Sequence, residues 1–186
     1  EMIRLILQDA RKLVRLSNGL LDLARASYDQ TEIAFRELRL DELLLDARQA
    51  VLKSNPGYQV NIIFEREIEE DDYVSVNGNE YLLKIAFTNL IENGCKFSDD
   101  KQASVAISFH TKNSILRFSD TGIGISPEDI SSVFIPFYRG ANKEYADGNG
   151  IGLSLTDKII HLHQGSLSVV SRVHDGTTFT VELPHL

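Results

Sequence analysis

The sequence predicts an α+β protein, a two-layer α/β sandwich preceded by a long N-terminal helix. Apolar residues recur at helical spacing over residues 1–27, a segment without proline. Beyond it, strand-like segments gather in hairpins between amphipathic helices, a pattern typical of helices packed on one side of a sheet. A chain of 186 residues with 42% hydrophobic residues is long enough for one well-buried domain and an appendage.

The N-terminal helix carries a stripe of apolar or small residues in alternating steps of three and four. The stripe consists of Ile3, Ile6, Ala10, Leu13, Ser17, Leu20 and Ala24. Such a stripe needs partner helices to exclude water, unless the helix packs on its own domain. Polar residues near 28–32 break the period. We therefore expect a helix with its linker over residues 1–30 and a separate domain over residues 31–186.

The first half of this domain is expected to alternate strands and helices. Residues 35–40 have strand character, and Asp41 is placed to cap a helix that ends by Asn55-Pro56-Gly57. Strands are expected at residues 60–64 and 73–76, and the Asn77-Gly78 dipeptide predicts a turn. Helical spacing of apolar residues returns over residues 79–95.

The second half is expected to contain two hairpins separated by a helix. Strands at residues 103–109 and 114–118 form the first hairpin, and Pro127 starts a short helix. Residues 141–149 have little apolar content and predict a flexible loop. A helix at residues 151–161 then precedes a hairpin of strands 167–173 and 177–183 around Asp175 and Gly176.

Composition narrows the function. A formal net charge of −8 argues against a nucleic-acid-binding surface, so a polyanionic ligand would need a local positive site. The single cysteine, Cys95, rules out an internal disulfide, fits a reducing compartment and is expected in the core. No apolar run reaches the roughly eighteen residues that span a bilayer. The histidines expected to be structural or surface residues are His110, His161, His163, His174 and His185.

One helix face suits a magnesium ion with a phosphate. Asn89 and Asn93 are four residues apart and therefore share a face, and Lys96 follows three residues later. Because Mg²⁺ takes oxygen ligands and keeps several waters, one amide oxygen from the protein is enough. Lys96 would supply a point charge for phosphate oxygens. Taken alone, the same three residues also fit an ordinary solvated helix face.

Asp120 suits the recognition of adenine. It ends a strand, and its acceptor-only carboxylate can select the exocyclic amine of adenine over guanine. Gly122 and Gly124 would let the backbone approach the base closely. The alternative is a tight turn in which the aspartate side chain caps the backbone.

Two further segments suit phosphate groups. Arg139 follows an aromatic patch, partly ordinary core, and its planar fork fits a terminal phosphate. The patch consists of Phe134, Pro136, Phe137 and Tyr138. Three glycines precede the last helix, whose free N–H groups can bind phosphate: Gly148, Gly150 and Gly152. The spacing also resembles a dinucleotide fingerprint, but that motif follows the first strand of its domain, and this one comes late.

Four motifs, in this order and at these spacings, resemble the ATP-binding domain of sensor histidine kinases. They are N-L-I-E-N-G-C-K-F-S at residues 89–98, D-T-G-I-G-I at 120–125, F-I-P-F-Y-R-G at 134–140 and G-N-G-I-G-L at 148–153. The resemblance covers residues 31 to 186 and implies a Bergerat-type domain, whose nucleotide pocket is shared with gyrase and mismatch-repair ATPases. Gly94 stands where this family usually has alanine, a departure that should not change the ligands.

The resemblance implies roles for individual residues. Asn93 would bind Mg²⁺, Lys96 would contact phosphate, and Phe97 would stack on the adenine that Asp120 recognises. Arg139 is a candidate γ-phosphate contact at the start of a lid over ATP. The remaining implied nucleotide-binding residues are Gly122, Gly124, Tyr138, Gly148, Gly150, Gly152 and Leu153.

Asn89 takes the place of a glutamate that activates water in the hydrolysing relatives. An amide cannot accept that proton at a useful rate. The resemblance therefore implies a domain that holds ATP and passes its phosphoryl group to a better nucleophile, with Asn89, Lys96 and Arg139 as the catalytic set.

The function implied is that of a protein-histidine kinase that uses ATP and Mg²⁺. Residues 1–30 would be the second helix of a dimerisation and phosphoacceptor hairpin whose histidine is absent from this sequence, so we expect a fragment of a longer chain. The phosphoryl group would pass to that histidine and then to an aspartate of a response-regulator receiver domain. The resemblance also implies a homodimer in the full-length protein and a cytoplasmic location, as a domain of a membrane-bound sensor.

Three alternatives remain open. An ATPase or ATP-driven clamp of the same superfamily would hydrolyse ATP at steady state, and Asn89 argues against it. A serine kinase of the anti-sigma type would not need the long N-terminal stripe. A module that senses nucleotide without catalysis is the third alternative, and the intact Asn93, Asp120 and three glycines argue against it.

Overall fold

The computed structural model describes residues 34–65, 75–140 and 150–185. The expected N-terminal helix of residues 1–27, the loop of residues 141–149 and the site residue Gly148 lie outside the described residues. The described strands are β1 (Arg36–Arg39), β2 (Gln59–Phe64), β3 (Ser75–Gly78), β4 (Gln102–Phe109), β5 (Asn113–Asp120), β6 (Ser166–Arg172) and β7 (Gly176–Pro184). The described helices are α1 (Leu40–Ser54), α2 (Glu80–Phe97), α3 (Pro127–Ile130) and α4 (Gly152–Leu162).

Five strands form one sheet in the order β2-β4-β5-β7-β6. β2 is parallel to β4, and the other neighbours in the sheet are antiparallel. β1 and β3 form a separate antiparallel ribbon. Helix α2 contacts α1 and α4, and each of these three helices also contacts strands of the large sheet. The α+β class and the two-layer sandwich predicted from the sequence are therefore confirmed.

The core lies between the helix layer and the sheet. Alternate residues along the strands are buried, as expected for a sheet covered on one face. The rings of Phe87 on α2 and Phe118 on β5 lie 5.7 Å apart and join the two layers. Fully buried side chains of the core include Leu40, Leu44, Val51, Leu83, Leu90, Ile91, Ile107, Leu116, Ile159 and Ile160.

The start of α2 is fixed by Asn79. Its side-chain oxygen accepts a hydrogen bond of 3.0 Å from the N–H of Leu82, which caps the helix. Its side-chain amide donates to the carbonyl of Ala34 at 3.2 Å, and its backbone N–H donates to Nε2 of His163 at 2.9 Å. The helix that carries the predicted magnesium residues is thus attached at its start to the segment before β1 and to the end of α4.

His163 is a buried structural residue, as predicted. Because Nε2 accepts a hydrogen bond from Asn79, Nδ1 carries the proton and donates to the carbonyl of Ile159 at 2.7 Å. Burial lowers the pKa of this imidazole, and the ring lies 4.9 Å from that of Phe35. The neutral side chain therefore bridges the end of α4 and the start of α2.

Two local predictions are wrong. Asn77 and Gly78 do not form a turn but are paired in β3, opposite Glu37 and Arg36. Glycine is needed at residue 78 because a Cβ there would lie 2.9 Å from the His163 ring. Asp41 does not cap α1, because β1 leads directly into a helix that starts at Leu40.

The carboxylate of Asp41 has a different role. It lies in the first turn of α1, where a negative charge interacts favourably with the helix dipole. It also accepts two hydrogen bonds from the guanidinium of Arg39, at 2.9 and 3.2 Å. Arg39 occupies the capping position, and its side chain makes no capping hydrogen bond to the helix.

Candidate functional site

Helix α2 presents its polar residues on a partly open face. Leu90, Ile91 and Cys95 are buried against the core, whereas Asn89 and Asn93 are half-buried. Asn89 Nδ2 donates a long hydrogen bond of 3.4 Å to the carbonyl of Gly152. The contact brings the start of α4 against α2, so two of the four motifs meet at this point.

The end of α2 joins the turn that follows β5. Lys96 Nζ lies 5.2 Å from the ring centroid of Phe97, within the range of a cation–π contact. The carbonyl of Phe97 accepts a hydrogen bond of 3.2 Å from the N–H of Ile123. The predicted phosphate and adenine residues of α2 therefore lie beside the predicted adenine turn.

Asp120 ends β5 and shapes the turn. Its Oδ1 accepts a hydrogen bond of 2.8 Å from the N–H of Gly122, which is the capped turn considered as an alternative above. Burial raises the pKa of this carboxyl group, and backbone hydrogen bonds from Gly122 and Thr177 oppose that rise. The turn and a role in adenine recognition are compatible, because a carboxylate has about four acceptor positions.

Gly122 and Gly124 approach the protein's own backbone. A Cβ on Gly122 would overlap the carbonyl of Phe97, and one on Gly124 would overlap the carbonyl of Arg172. Gly124 also has a φ of +69°, a left-handed conformation that favours glycine. Both glycines are therefore required by the fold, and a contact with a base remains a prediction.

The aromatic motif has an inner and an outer part. The ring of Phe134 packs edge-on against that of Phe179, with centroids 6.4 Å apart. Tyr138 Oη donates a hydrogen bond of 2.5 Å to Oδ1 of Asp129. Phe137 is 55% exposed with a φ of +66°. The pKa of Tyr138 is raised, chiefly because its hydroxyl donates to a carboxylate.

Arg139 and Leu153 take less defined places. Arg139 is exposed, and Gly140 beside it lies against Asp129 rather than against α2. Leu153 is half-buried and packs against the core. The structure thus groups Asn89, Gly152 and the turn at Asp120 around α2, while the predicted contact of Arg139 with the same site stays a prediction.

Three residues of the site were missed by sequence reasoning. They are Asp129, which binds Tyr138; Thr177, which bonds to Asp120; and Ala103, which faces Gly94. Asp129 had a local signal in the sequence, since it lies three residues after the helix-capping Ser126. The Oγ of Ser126 accepts a hydrogen bond from the N–H of Asp129 at the start of α3. The other two come from strands remote in sequence, and no local pattern points to them.

The residues present fit a magnesium ion. The described residues contain no group of three or more His, Cys, Asp or Glu side chains that could hold a metal by themselves. Mg²⁺ bound together with phosphates needs few protein oxygens, and the half-buried amide of Asn93 can supply one. Cys95 is buried with its pKa raised to about 11, chiefly by burial, which confirms it as a core residue.

Comparison with known proteins agrees with these features. The sequence model of the family described as "Histidine kinase-, DNA gyrase B-, and HSP90-like ATPase" matches residues 78–186. Sensor protein ChvG of Agrobacterium fabrum is 30% identical over 98% of this chain and 33% of its own length. Histidine protein kinase DivJ of Caulobacter vibrioides is 32% identical over 94% of this chain and 30% of its own length. The chain thus spans about a third of these curated relatives.

Solved structures share the fold. Histidine kinase AdeS of Acinetobacter baumannii superposes with a TM-score of 0.73 at 18% identity, covering 98% of this chain and 83% of that one. Full-length ShkA in complex with AMPPNP gives a TM-score of 0.75 at 19% identity, covering 95% of this chain and 36% of that one.

None of the helices in the described part of the chain has the length and apolar character needed to span a membrane.

Proposed function

Because the chain belongs to the family of histidine kinase-, DNA gyrase B- and HSP90-like ATPases, we propose that it is the catalytic ATP-binding domain of a sensor histidine kinase. The proposed reaction transfers the γ-phosphoryl group of ATP to a histidine on a separate hairpin. The observation that carries this proposal is the position of α2, which presents Asn89 and Asn93 on an open face and ends beside the Asp120 turn.

Each residue of the site has a proposed task. Asp120 accepts a hydrogen bond from the amine of adenine, and Phe97 covers the base. Lys96 and Arg139 bind phosphate oxygens, and the amide oxygen of Asn93 binds Mg²⁺. The ion neutralises phosphate charge when bound. Tyr138, Leu153 and the glycines Gly122, Gly124, Gly148, Gly150 and Gly152 complete the proposed nucleotide site.

Transfer is favoured over hydrolysis by the chemistry of Asn89. Its amide donates to the carbonyl of Gly152 and cannot accept a proton from water. A water molecule near the γ-phosphate would therefore lack a base at this position. A neutral imidazole is a stronger nucleophile than water, so positioning and charge neutralisation can supply most of the rate.

The other parts of the proposal concern the whole protein. Residues 1–30 would form the second helix of a dimerisation hairpin, followed by the ATP-binding domain over residues 31–186. The full-length protein would be a homodimer, with the domain on the cytoplasmic side of a membrane-bound sensor. Its phosphohistidine would be passed to an aspartate of a response regulator. The relatives named as a sensor protein and as a histidine protein kinase support this arrangement.

Incubation with γ-labelled ATP tests the proposal. The chain alone should bind ATP without stable labelling or appreciable hydrolysis, because none of its histidines lies in a phosphoacceptor motif. With an added hairpin fragment that carries the histidine, label should appear on that fragment and be acid-labile and base-stable. The Asn93→Ala variant should not transfer label. Strong labelling of the isolated chain, or steady ATP hydrolysis, would contradict the proposal.

A further inference from the structure

Gly94 lies inside α2, where glycine lowers helix stability relative to alanine. A Cβ at this position would lie 2.9 Å from the Cβ of Ala103 and 3.8 Å from the Cβ of Asp120. Ala103 is buried, and its Cβ is attached directly to strand β4, so it cannot rotate away. The methyl group of Ala103 therefore occupies part of the space that a side chain at residue 94 would need.

The contact point lies between two residues of the nucleotide site. Ser104 of β4 pairs with Ser119 of β5, so Ala103 and Asp120 are the next positions along the two strands. Gly94 directly follows Asn93 on α2. The distance between helix and strand at this point therefore also sets the distance between Asp120 and the backbone of α2.

We propose that Gly94 and Ala103 form a size-matched pair that positions Asp120 relative to α2 and thereby sets the selectivity of the site for adenine. The inference rests on the proposed function. Both are positioning residues, since they act through Asp120 and not on the nucleotide. An added methyl group at residue 94 would push α2 away from β4, and the bond between Phe97 and Ile123 would then move the end of the Asp120 turn.

A double-substitution cycle tests the pair. The variants of the full chain are Gly94→Ala, Ala103→Gly and the two combined. Gly57→Ala is the matched control, because a Cβ there meets nothing within 4 Å. Calorimetric titration with ATP and with GTP, both with Mg²⁺, gives the selectivity, and thermal unfolding gives the stability.

Gly94→Ala should weaken ATP binding about ten-fold, because the displaced Asp120 turn would lose its charge-assisted hydrogen bond to adenine. The loss for GTP should be smaller, so that the ratio of the two affinities narrows. Ala103→Gly alone should lower the melting temperature without narrowing that ratio, since it removes a methyl group instead of adding one. The combined variant should regain the original ratio of the ATP and GTP affinities, and Gly57→Ala should leave that ratio unchanged.

Each outcome decides the inference. Unchanged selectivity in Gly94→Ala, or a combined variant that stays as unselective as Gly94→Ala, would overturn it. If Gly94→Ala does not fold, the combined variant must recover both folding and selectivity, and failure to do so counts against the pair. If the unsubstituted chain binds no adenine nucleotide, the proposed function falls together with this inference. If the unsubstituted chain binds ATP but the combined variant does not regain the selectivity, only this inference is overturned and the proposed function stands.

Discussion

The backbone N–H of Phe137 donates a hydrogen bond of 2.8 Å to the carbonyl oxygen of Gly150. Both residues have a φ of 66°, and a Cβ on Gly150 would lie 2.7 Å from the carbonyl of Tyr138. The contact joins the aromatic motif to the glycine motif across the segment 141–149. The two flanks of the proposed lid over ATP are therefore fixed to each other.

Substituting Gly150 should break this junction. A non-glycine residue with positive φ is disfavoured by about 1–2 kcal/mol, so Gly150→Ala should raise hydrogen exchange of the Phe137 amide about ten-fold. Gly152→Ala is the control, because its Cβ would lie 3.6 Å from Asn89, an ordinary contact. Amide exchange by mass spectrometry or NMR measures both. Equal protection of Phe137 in the two variants would show that the junction does not depend on Gly150.

Asp120→Asn should separate binding from stability. The asparagine loses a charge-assisted bond to adenine, so affinity for ATP should fall by about 1–3 kcal/mol. The fold should not be weakened, because burial disfavours the ionised carboxylate, while an amide oxygen can still accept from Gly122. Calorimetry with ATP and thermal unfolding give the two quantities. A variant that loses stability and keeps its affinity for ATP would reverse this assignment.

His163 should make stability depend on pH. Burial lowers its pKa in the folded protein, so the unfolded chain binds the proton more readily. Stability is then fully present above the unfolded pKa, near 6.5, and falls as the pH drops towards the folded pKa, by up to about 1.4 kcal/mol per pH unit. His163→Gln should remove much of this slope, whatever its effect at neutral pH.

Urea unfolding at pH values of about 7.5 and 5.5 measures the slope for His163. The pKa of the half-buried His185 is also lowered by burial, so His185→Gln is the comparison variant at a second imidazole. Identical pH slopes for the unsubstituted chain and His163→Gln would mean that folding does not lower the pKa of His163.

The domain should begin before the part that the family model matches. Deleting residues 1–30 should leave ATP binding, since the domain proposed to bind ATP spans residues 31–186. Deleting residues 1–77 should abolish cooperative unfolding, because it removes β1, α1 and β2, and β2 is the parallel partner of β4. Buried Leu40, Leu44 and Val51 would be lost, at about 1.5–3 kcal/mol each. Circular dichroism during heating distinguishes the two deletions, and a cooperative transition in the shorter chain would place the boundary later.

Sequence patterns predicted the elements and one face of the site, because both depend on local spacing. Asn89 and Asn93 share a face by helix geometry alone, and Asp120 was expected at a strand end where β5 does end. The error at Asn77-Gly78 has a non-local cause, since that glycine makes room for His163, far along the chain. The same holds for Ala103 opposite Gly94 and for Thr177 bonded to Asp120. Their partners are set by the register of strands and by packing, which residue spacing does not encode.

Gly122 and Gly124 lie directly against neighbouring carbonyl groups. This packing affects how a saturation mutagenesis screen of the domain would be interpreted. In a screen for cellular abundance, these two positions should be depleted as strongly as core positions are. Asn93 and Lys96, on the open face of α2, should be tolerant of substitution in that screen and depleted only when signalling output is selected. A signalling defect at either glycine would accordingly be scored as loss of protein, whereas one at Asn93 would be scored as loss of chemistry.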